Sequence, residues 1–596
     1  MIISALAAFY DQLFKERPDE VARPGWVTCR IKFRIVIFAD GSLAKIVPTG
    51  EKRGTSGLVP AQAERTSGVK ANFLCNKAAY FFGIDANGET DRAKRCFEAA
   101  CSMHHEILDG VDSLAAKAIL AYFDSWNSET AASHPKLGEV FQDVCKGGYL
   151  AFALLTEDGC LHYVEEDQAV SDAWDAHVSV SVSDDSAMVC LATGKKQLAA
   201  RLHPSIKGVA GAHSAGAKLV SFNEPAFESY GHDGKQGRNA PVGESVAQAY
   251  GLALNYLLAD PIHHIYLGDA TIVFWSEHED RGNVSLFSLL LGGRTSESQN
   301  DAAEVDRNLS AVLNRLRLGK GVDLNGVDFA AKFYVLGLAP SKSRLLVRFF
   351  SCGSFGDMID NVEAHYRRIQ IVHAPYERDF LAPFWLLRAV ENQKSQKETK
   401  PIVSSELTAP LLQAILRNGK YPEALFTNAL LRIKATREVT YEQAAIIKGY
   451  LIRNCGRSEE EVTVELNEER CDVAYNLGRA FSYLGQIQEK ANGKDTLTGR
   501  YLGSACTRPA VVFPQLLKQA NYHLNKLSRD NPGYAVNLEK ELSDVLSEGS
   551  VSSFPNYLSL SEQGDFMLGY YHQKAKRYQK KEERVVGDGV NETEEA

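Results

Sequence analysis

The period of the apolar residues changes once along this chain, near Ile371 to Pro375, and that change limits the fold more than any other feature. Before it, segments alternating polar and apolar residues are interspersed with segments of helical spacing; after it, as far as Tyr578, helical spacing prevails almost alone. A period of two turns one face of a strand to a core, and a period near 3.6 turns one stripe of a helix there. A chain carrying both in succession is expected to be α+β, with a mixed α/β N-terminal region containing antiparallel hairpins, then an all-helical C-terminal bundle. At 596 residues it exceeds what one core can organise. Residues 1–375 are expected as the α/β region, in one or two subdomains. A helical connecting domain follows over 376–472, a helical bundle over 473–586, and an acidic tail over 587–596 that lacks apolar periodicity and is expected to be disordered.

Within the first region, Val27 to Phe38 alternates, and Gly41 separates it from Leu43 to Val47, which predicts a half-buried hairpin. Gly50 to Gly68 is polar, basic and rich in turn residues, so it is expected to leave the sheet as a loop. Helices are predicted over Ala93 to Leu108 and Ala115 to Trp126. Strands are predicted at Tyr149 to Leu155, Val178 to Val182, Lys218 to Phe222 and Ile265 to Trp275. Asn223 to Pro241 is a long irregular segment rich in Gly, Asn and Ser. A second hairpin, Phe333 to Leu338 with Arg344 to Phe350, precedes a helix from Phe355 to Tyr366.

Lys and Arg total 66 against 75 Asp and Glu, a formal charge of −9, so any contact with nucleic acid must be local. The 11 scattered cysteines, odd in number, fit reduced core thiols better than a secreted disulfide framework. With no apolar run long enough to span a bilayer, the expected setting is cytoplasmic, without membrane contact.

The common catalytic signatures are missing: no phosphate loop, no dinucleotide fingerprint in a strand-to-helix context, no His-Glu-x2-His helix. Cys96, Cys101, His104 and His105 do not match a zinc spacing and read as buried thiols with surface histidines. Ser214, in Gly211-Ala212-His213-Ser214-Ala215-Gly216, does not have the flanking glycine spacing of a nucleophile elbow. The alternative enzyme reading is a metal-dependent nuclease begun by His232 and Asp233, because imidazole and carboxylate together hold a divalent metal, with His263 or His264 as further ligands and Asp269, Glu277 and His278 nearby. The leading expectation is a chain without catalytic residues, metal or cofactor.

Three segments have the chemistry to meet nucleic acid. In the first, Arg65 to Asn76, backbone amides around Thr66, Ser67 and Gly68 and the Lys70 ammonium suit phosphate, while the Asn72 amide suits a base edge. The competing reading is a helix N-terminus capped by Thr66 or Ser67, with Lys70 solvated. Arg65 and Lys77 are expected at phosphates. The second segment carries Asn223, Lys235, Gln236, Arg238 and Asn239 among glycines, with Gln236 as a wedge beside an opening base pair; alternatively Phe222, Phe227 and Tyr230 anchor an ordered structural loop. In the third, Lys518, Tyr522, Lys526 and Arg529 share a helix face, and Lys574 and Arg577 lie on the last helix; cations among aromatics suit single-stranded DNA, and a solvated basic face is the plainer meaning.

Ordered motifs along the whole chain add to this. Arg65-Thr66-Ser67-Gly68-Val69-Lys70-Ala71-Asn72 is followed by Ala226-Phe227-Glu228-Ser229-Tyr230, Asn239-Ala240-Pro241, Val347-Arg348-Phe349-Phe350, Tyr421-Pro422-Glu423-Ala424-Leu425, Arg500-Tyr501-Leu502-Gly503-Ser504 and Leu568-Gly569-Tyr570-Tyr571-His572-Gln573. In this order they resemble the large subunit of type I-C CRISPR surveillance complexes (Cascade). The resemblance implies a non-catalytic antiviral protein that reads the protospacer-adjacent motif in duplex DNA and promotes strand opening and R-loop formation, while guide RNA reads the target. It implies as partners the target duplex and its displaced strand, the guide RNA ribonucleoprotein with its backbone, guide-processing and small subunits, and a separate helicase-nuclease that cuts. It also makes 473–586 a small-subunit-like bundle.

Overall fold

The computed structural model describes residues 1–18, 20–50, 54–62, 68–85, 88–138, 140–180, 187–222, 224–227, 236–278, 281–292, 327–391, 403–548 and 553–588. Two compact units divide them. The first comprises Met1–Gly208, His213–Ala259 and Lys342–Leu345, and the second Val209–Ala212, Asp260–Ser341 and Leu346–Ala596.

The first unit opens with helix α1 (Ile2–Glu16), whose Leu6, Phe9, Tyr10 and Leu13 form its buried stripe. Strand β1 (Trp26–Ile37) is the axis of a six-stranded sheet. It pairs antiparallel with β2 (Leu43–Pro48) and then with β3 (Thr55–Pro60). The turn-rich stretch after Gly50 therefore does not wholly leave the sheet: Thr55 to Pro60 returns to hydrogen-bond along Trp26 to Ile31. The two-residue β4 (Cys75–Asn76), β5 (Tyr149–Leu155) and β6 (Leu161–Tyr163) complete the sheet, with β5 parallel to β1 and antiparallel to β4 and β6.

Alternation assigns the sheet's two faces. Phe33, Ile35 and Ile37 on β1, with Leu150, Phe152 and Leu154 on β5, enter a core built with helices α2 (Asp91–Leu108) and α3 (Leu114–Ser125). Thr90 and Ser113 start those helices by accepting hydrogen bonds from first-turn amides. Val36, Ala44 and Ala153 form a separate, smaller cluster. Val178, expected in a strand, lies instead in helix α4 (Gln168–Val180), and 181–182 fall outside the described residues. Val170 and Trp174, one helical turn apart, are buried in the main core, and the Asp167 carboxylate accepts from the Val170 amide. This stripe outweighs a short run of alternating valines. Of the strand expected at Lys218 to Phe222, only Lys218 is paired, in a two-residue strand with Ala217.

In the second unit, β7 (His264–Leu267), β8 (Ala270–Ser276) and β9 (Lys332–Ser341) are antiparallel, with β10 (Arg344–Ser354) beside β9. What alternation alone presents as one strand from Ile265 to Trp275 is a hairpin, because Gly268, at φ +63°, supplies a left-handed turn. Helices α5 (Phe355–Ile369), α6 (Tyr441–Cys455), α7 (Val473–Asn492), α8 (Pro509–Asp530) and α9 (Leu560–Asp588) follow among shorter ones. One hydrophobic core runs from Ile265 through Phe355 and Leu451 to Tyr570, so one face of the β7 to β10 strands packs with the helices, and no break in packing falls at 375. Helices α7 and α9 approach backbone to backbone: a Cβ at Gly478 would lie 1.9 Å from the Phe566 carbonyl oxygen, and one at Gly569 2.0 Å from that of Tyr475. Helix α9 takes in Gly587 and Asp588 of the expected tail; 589–596 lie outside the described residues. Among the described residues no helix is long and apolar enough to cross a membrane.

Candidate nucleic-acid interface

The segment Gly68 to Lys77 rests on a row of buried anchors. Ala71, Phe73, Leu74 and Cys75 are enclosed, and the Phe73 ring lies against Trp174 at 5.4 Å and His104 at 5.1 Å between centroids. Leu74 holds a left-handed backbone at φ +54°, which is uncommon for a branched residue. A specific bond retains it: the Leu74 amide donates to His104 Nε2 at 3.1 Å, while the opposite ring nitrogen, Nδ1, lies 2.7 Å from the Ala100 carbonyl. Burial lowers the His104 pKa to about 4, so at neutral pH the ring is uncharged and Nε2 stays an acceptor. His104 is thus a core residue under the segment, not the surface histidine expected. Its fellow His105 faces outward enough to meet Asp124 at 3.0 Å.

What this base presents is compact. Lys70 and Lys77 are exposed, and Gly68, at φ +87°, is exposed with open space where a side chain would stand. Arg65, Thr66 and Ser67 lie outside the described residues, so the alternative of a cap by Thr66 or Ser67 does too. The helix that follows is a single turn, Ala78–Phe81, with Lys77 at its N-cap. Asn72, expected to reach a base edge, is buried at 2% exposure, and its amide donates to the Gln62 side chain. Gln62 in turn donates to the Pro60 carbonyl at 2.9 Å, and Asn76 donates to the Asn72 carbonyl at 3.5 Å. Asn72 therefore ties together the two ends of chain that flank residues 63–67.

In the second segment, Asn223 and Lys235 lie outside the described residues, as do His232 and Asp233. Gln236 is half-buried with its Oε1 enclosed and, among the described residues, without a hydrogen-bond partner, and Arg238 is half-buried. Gly237, at φ +88°, passes so near Ala200 that a Cβ would meet its carbonyl oxygen at 2.2 Å. The Asn239 amide donates to the Phe227 carbonyl at 2.8 Å, and the Arg344 guanidinium lies 4.2 Å from the Phe227 ring centroid. The described part of this segment is the loop anchored on Phe227.

The further histidines of the nuclease reading have local roles. His263 is buried with Nδ1 3.2 Å from the Phe274 carbonyl, and His264 meets the Asp260 carbonyl and the Tyr266 hydroxyl, both at 3.1 Å. Asp269 pairs with Arg348 at 2.9 Å. Among the described residues no group of three or more His, Cys, Asp or Glu side chains is placed to hold a metal ion.

On α8, Phe513, Leu516, Ala520, Leu524 and Leu527 are buried, and Lys518, Tyr522, Lys526 and Arg529 form the opposite, exposed face. Tyr522 is 74% exposed, and Lys526 donates to the Asn492 side chain at 2.9 Å. Lys574 is half-buried on α9, a different helix that packs on the same α7, and the Arg577 side chain lies outside the described residues.

A family model described as CRISPR-associated protein (Cas_Csd1) matches residues 6–578. The chain belongs to the Csd1 family of CRISPR-associated proteins. Comparison with curated proteins gave no match. The family match runs through both compact units and agrees with the resemblance carried by the ordered motifs. Membership makes this Csd1-family chain a CRISPR Cascade component. Two residues that hold the candidate segment, Gln62 and His104, were not assigned to it from the sequence. For His104 a signal existed, since Ala100, Ile107 and Leu108 place it on the apolar face of α2; for Gln62, ten positions before Asn72, there was none.

Proposed function

We propose that this chain is the non-catalytic large subunit of an RNA-guided type I-C complex, recognising the protospacer-adjacent motif in duplex DNA and promoting strand opening. The observation that carries this reading is the presentation of Gly68, Lys70 and Lys77 at the surface of a Csd1-family chain, on a base held by Phe73, Asn72 and His104. A rigid base with few exposed cations suits a short duplex site, because phosphate contacts fix register and a few neighbouring groups read bases. Target sequence is left to guide-RNA pairing, displaced single strand to the basic face of α8, and cutting to a separate helicase-nuclease.

Co-expression with a guide RNA array and the backbone, guide-processing and small subunits tests the assembly. The chain is expected to co-purify with guide RNA in near-stoichiometric amount. Purification of a guide-loaded complex that excludes it would overturn the reading.

A further inference from the structure

The exposed stretch from Gly68 to Lys70 joins the first sheet through a three-residue turn. The Cys75 amide donates to the Phe73 carbonyl at 2.7 Å, and Leu74 stands at the apex with φ +54°. A turn closed between positions i and i+2 with a positive φ at its centre is rare and strained, and a branched residue there adds to the strain. Such a conformation persists only where its surroundings over-determine it. The Leu74 side chain is buried, and Cys75 goes straight on to pair with Ala151 of β5. The conformation of this one residue therefore sets the angle at which Gly68 and Lys70 leave the sheet.

Side chains of α2 and α3 supply that constraint. His104, fully buried on α2, accepts the Leu74 amide at Nε2. Its ring packs on Phe123 at 4.6 Å and Phe81 at 6.1 Å between centroids, and its Nδ1–H is committed to the Ala100 carbonyl, so the ring is held in place and Nε2 is fixed as an acceptor. Farther along, the Tyr122 hydroxyl donates to the Phe81 carbonyl at 2.8 Å, and the Trp126 indole N–H donates to the Phe82 carbonyl at 3.1 Å. The far end of the segment is thus held independently of His104, and loss of the Leu74 bond loosens the turn without releasing the whole segment.

We propose that His104 is a positioning residue for motif recognition: by accepting the Leu74 amide it holds the strained turn, and through it the orientation of Gly68 to Lys70, without touching DNA itself. This role rests on the proposed recognition of duplex DNA by that segment. Without the acceptor the turn relaxes, and only a fraction of the molecules presents the segment in the geometry that reads bases; motif-specific affinity falls by that fraction. Contacts of Lys70 and Lys77 with phosphate on any sequence tolerate the relaxation, because an ammonium on a flexible stem demands little of geometry.

The test sets motif-bearing against scrambled duplexes in competition for the assembled, guide-loaded complex. His104→Phe keeps the volume and the ring packing and removes the acceptor. It is expected to lower affinity for the motif-bearing duplex about tenfold, the weight of one buried amide left without a partner, with scrambled-duplex affinity and guide-RNA content unchanged. His104→Gln, which can bring a side-chain oxygen to the Leu74 amide, is expected to restore most of the discrimination. Where His104→Phe fails to assemble, His104→Asn, too short to reach Leu74, takes its place with the same expected loss. A motif preference that survives loss of the acceptor overturns the role of His104 alone. Equal losses on motif-bearing and scrambled duplexes make His104 an ordinary core residue and overturn it as well. Indifference of the wild-type complex to the flank overturns the proposed function, and this role with it.

Discussion

At the scale of the residue, Asn72 shows what chemistry in a sequence does and does not disclose. An amide beside glycine and lysine marks a candidate recognition segment in the sequence, but its orientation was not legible, because it depends on Gln62, brought alongside by the return of β3 to the sheet. In the folded chain Asn72 positions the segment. Asn72→Ala leaves the Gln62 acceptor without this donor and is expected to cost about 1 kcal/mol of stability. Asn72→Ala and Gln62→Ala are both expected to weaken discrimination between motif-bearing and scrambled duplexes, measured by competition binding of the assembled complex. If Gln62→Ala leaves discrimination intact while Asn72→Ala abolishes it, Asn72 reads DNA directly.

At the scale of the element, long periodic segments were legible and short or interrupted ones were not. The predicted helix over Ala93 to Leu108 and the hairpin from Val27 to Val47 match α2 and β1–β2 within a few residues, since each buries a full stripe or face. β3 escaped because Gly57 and its polar neighbours look like loop, and strand pairing there is decided by the free hydrogen-bonding groups of β1 rather than by side chains. The α8 stripe was fully legible, yet its exposure fits either a solvated face or a single-strand groove. Replacing Lys518, Lys526 and Arg529 together by alanine is expected to reduce the slope of log affinity against log salt for single-stranded DNA by about 2, near 0.7 per phosphate contact. Tyr522→Ala is expected to cost about 1 to 3 kcal/mol with the slope unchanged. An unchanged slope in the triple variant makes the stripe a solvated face.

At the scale of the whole molecule, the change of period correctly separates α/β from helical chain but does not mark the limits of packing. The strands from His264 to Ser354 carry the alternation of the first region, yet the apolar residues of one of their faces, among them Ile272, Phe274, Phe333 and Val335, share one core with the helices up to Tyr570. A period reports which face is buried and not against what, so this partnership was out of reach of the sequence. A formal charge of −9 gives the molecule no general attraction for DNA, so the proposed contact with DNA has to rest on small surfaces such as that around Lys70 and Lys77. The most direct measurement is selection of target duplexes with a randomised flank by the assembled, guide-loaded complex. Enrichment of one short flanking motif, lost when Lys70 and Lys77 are both changed to alanine while guide-RNA content is preserved, is the predicted result. Binding that is indifferent to the flank, or an enriched motif that survives the double substitution unchanged, would contradict the account.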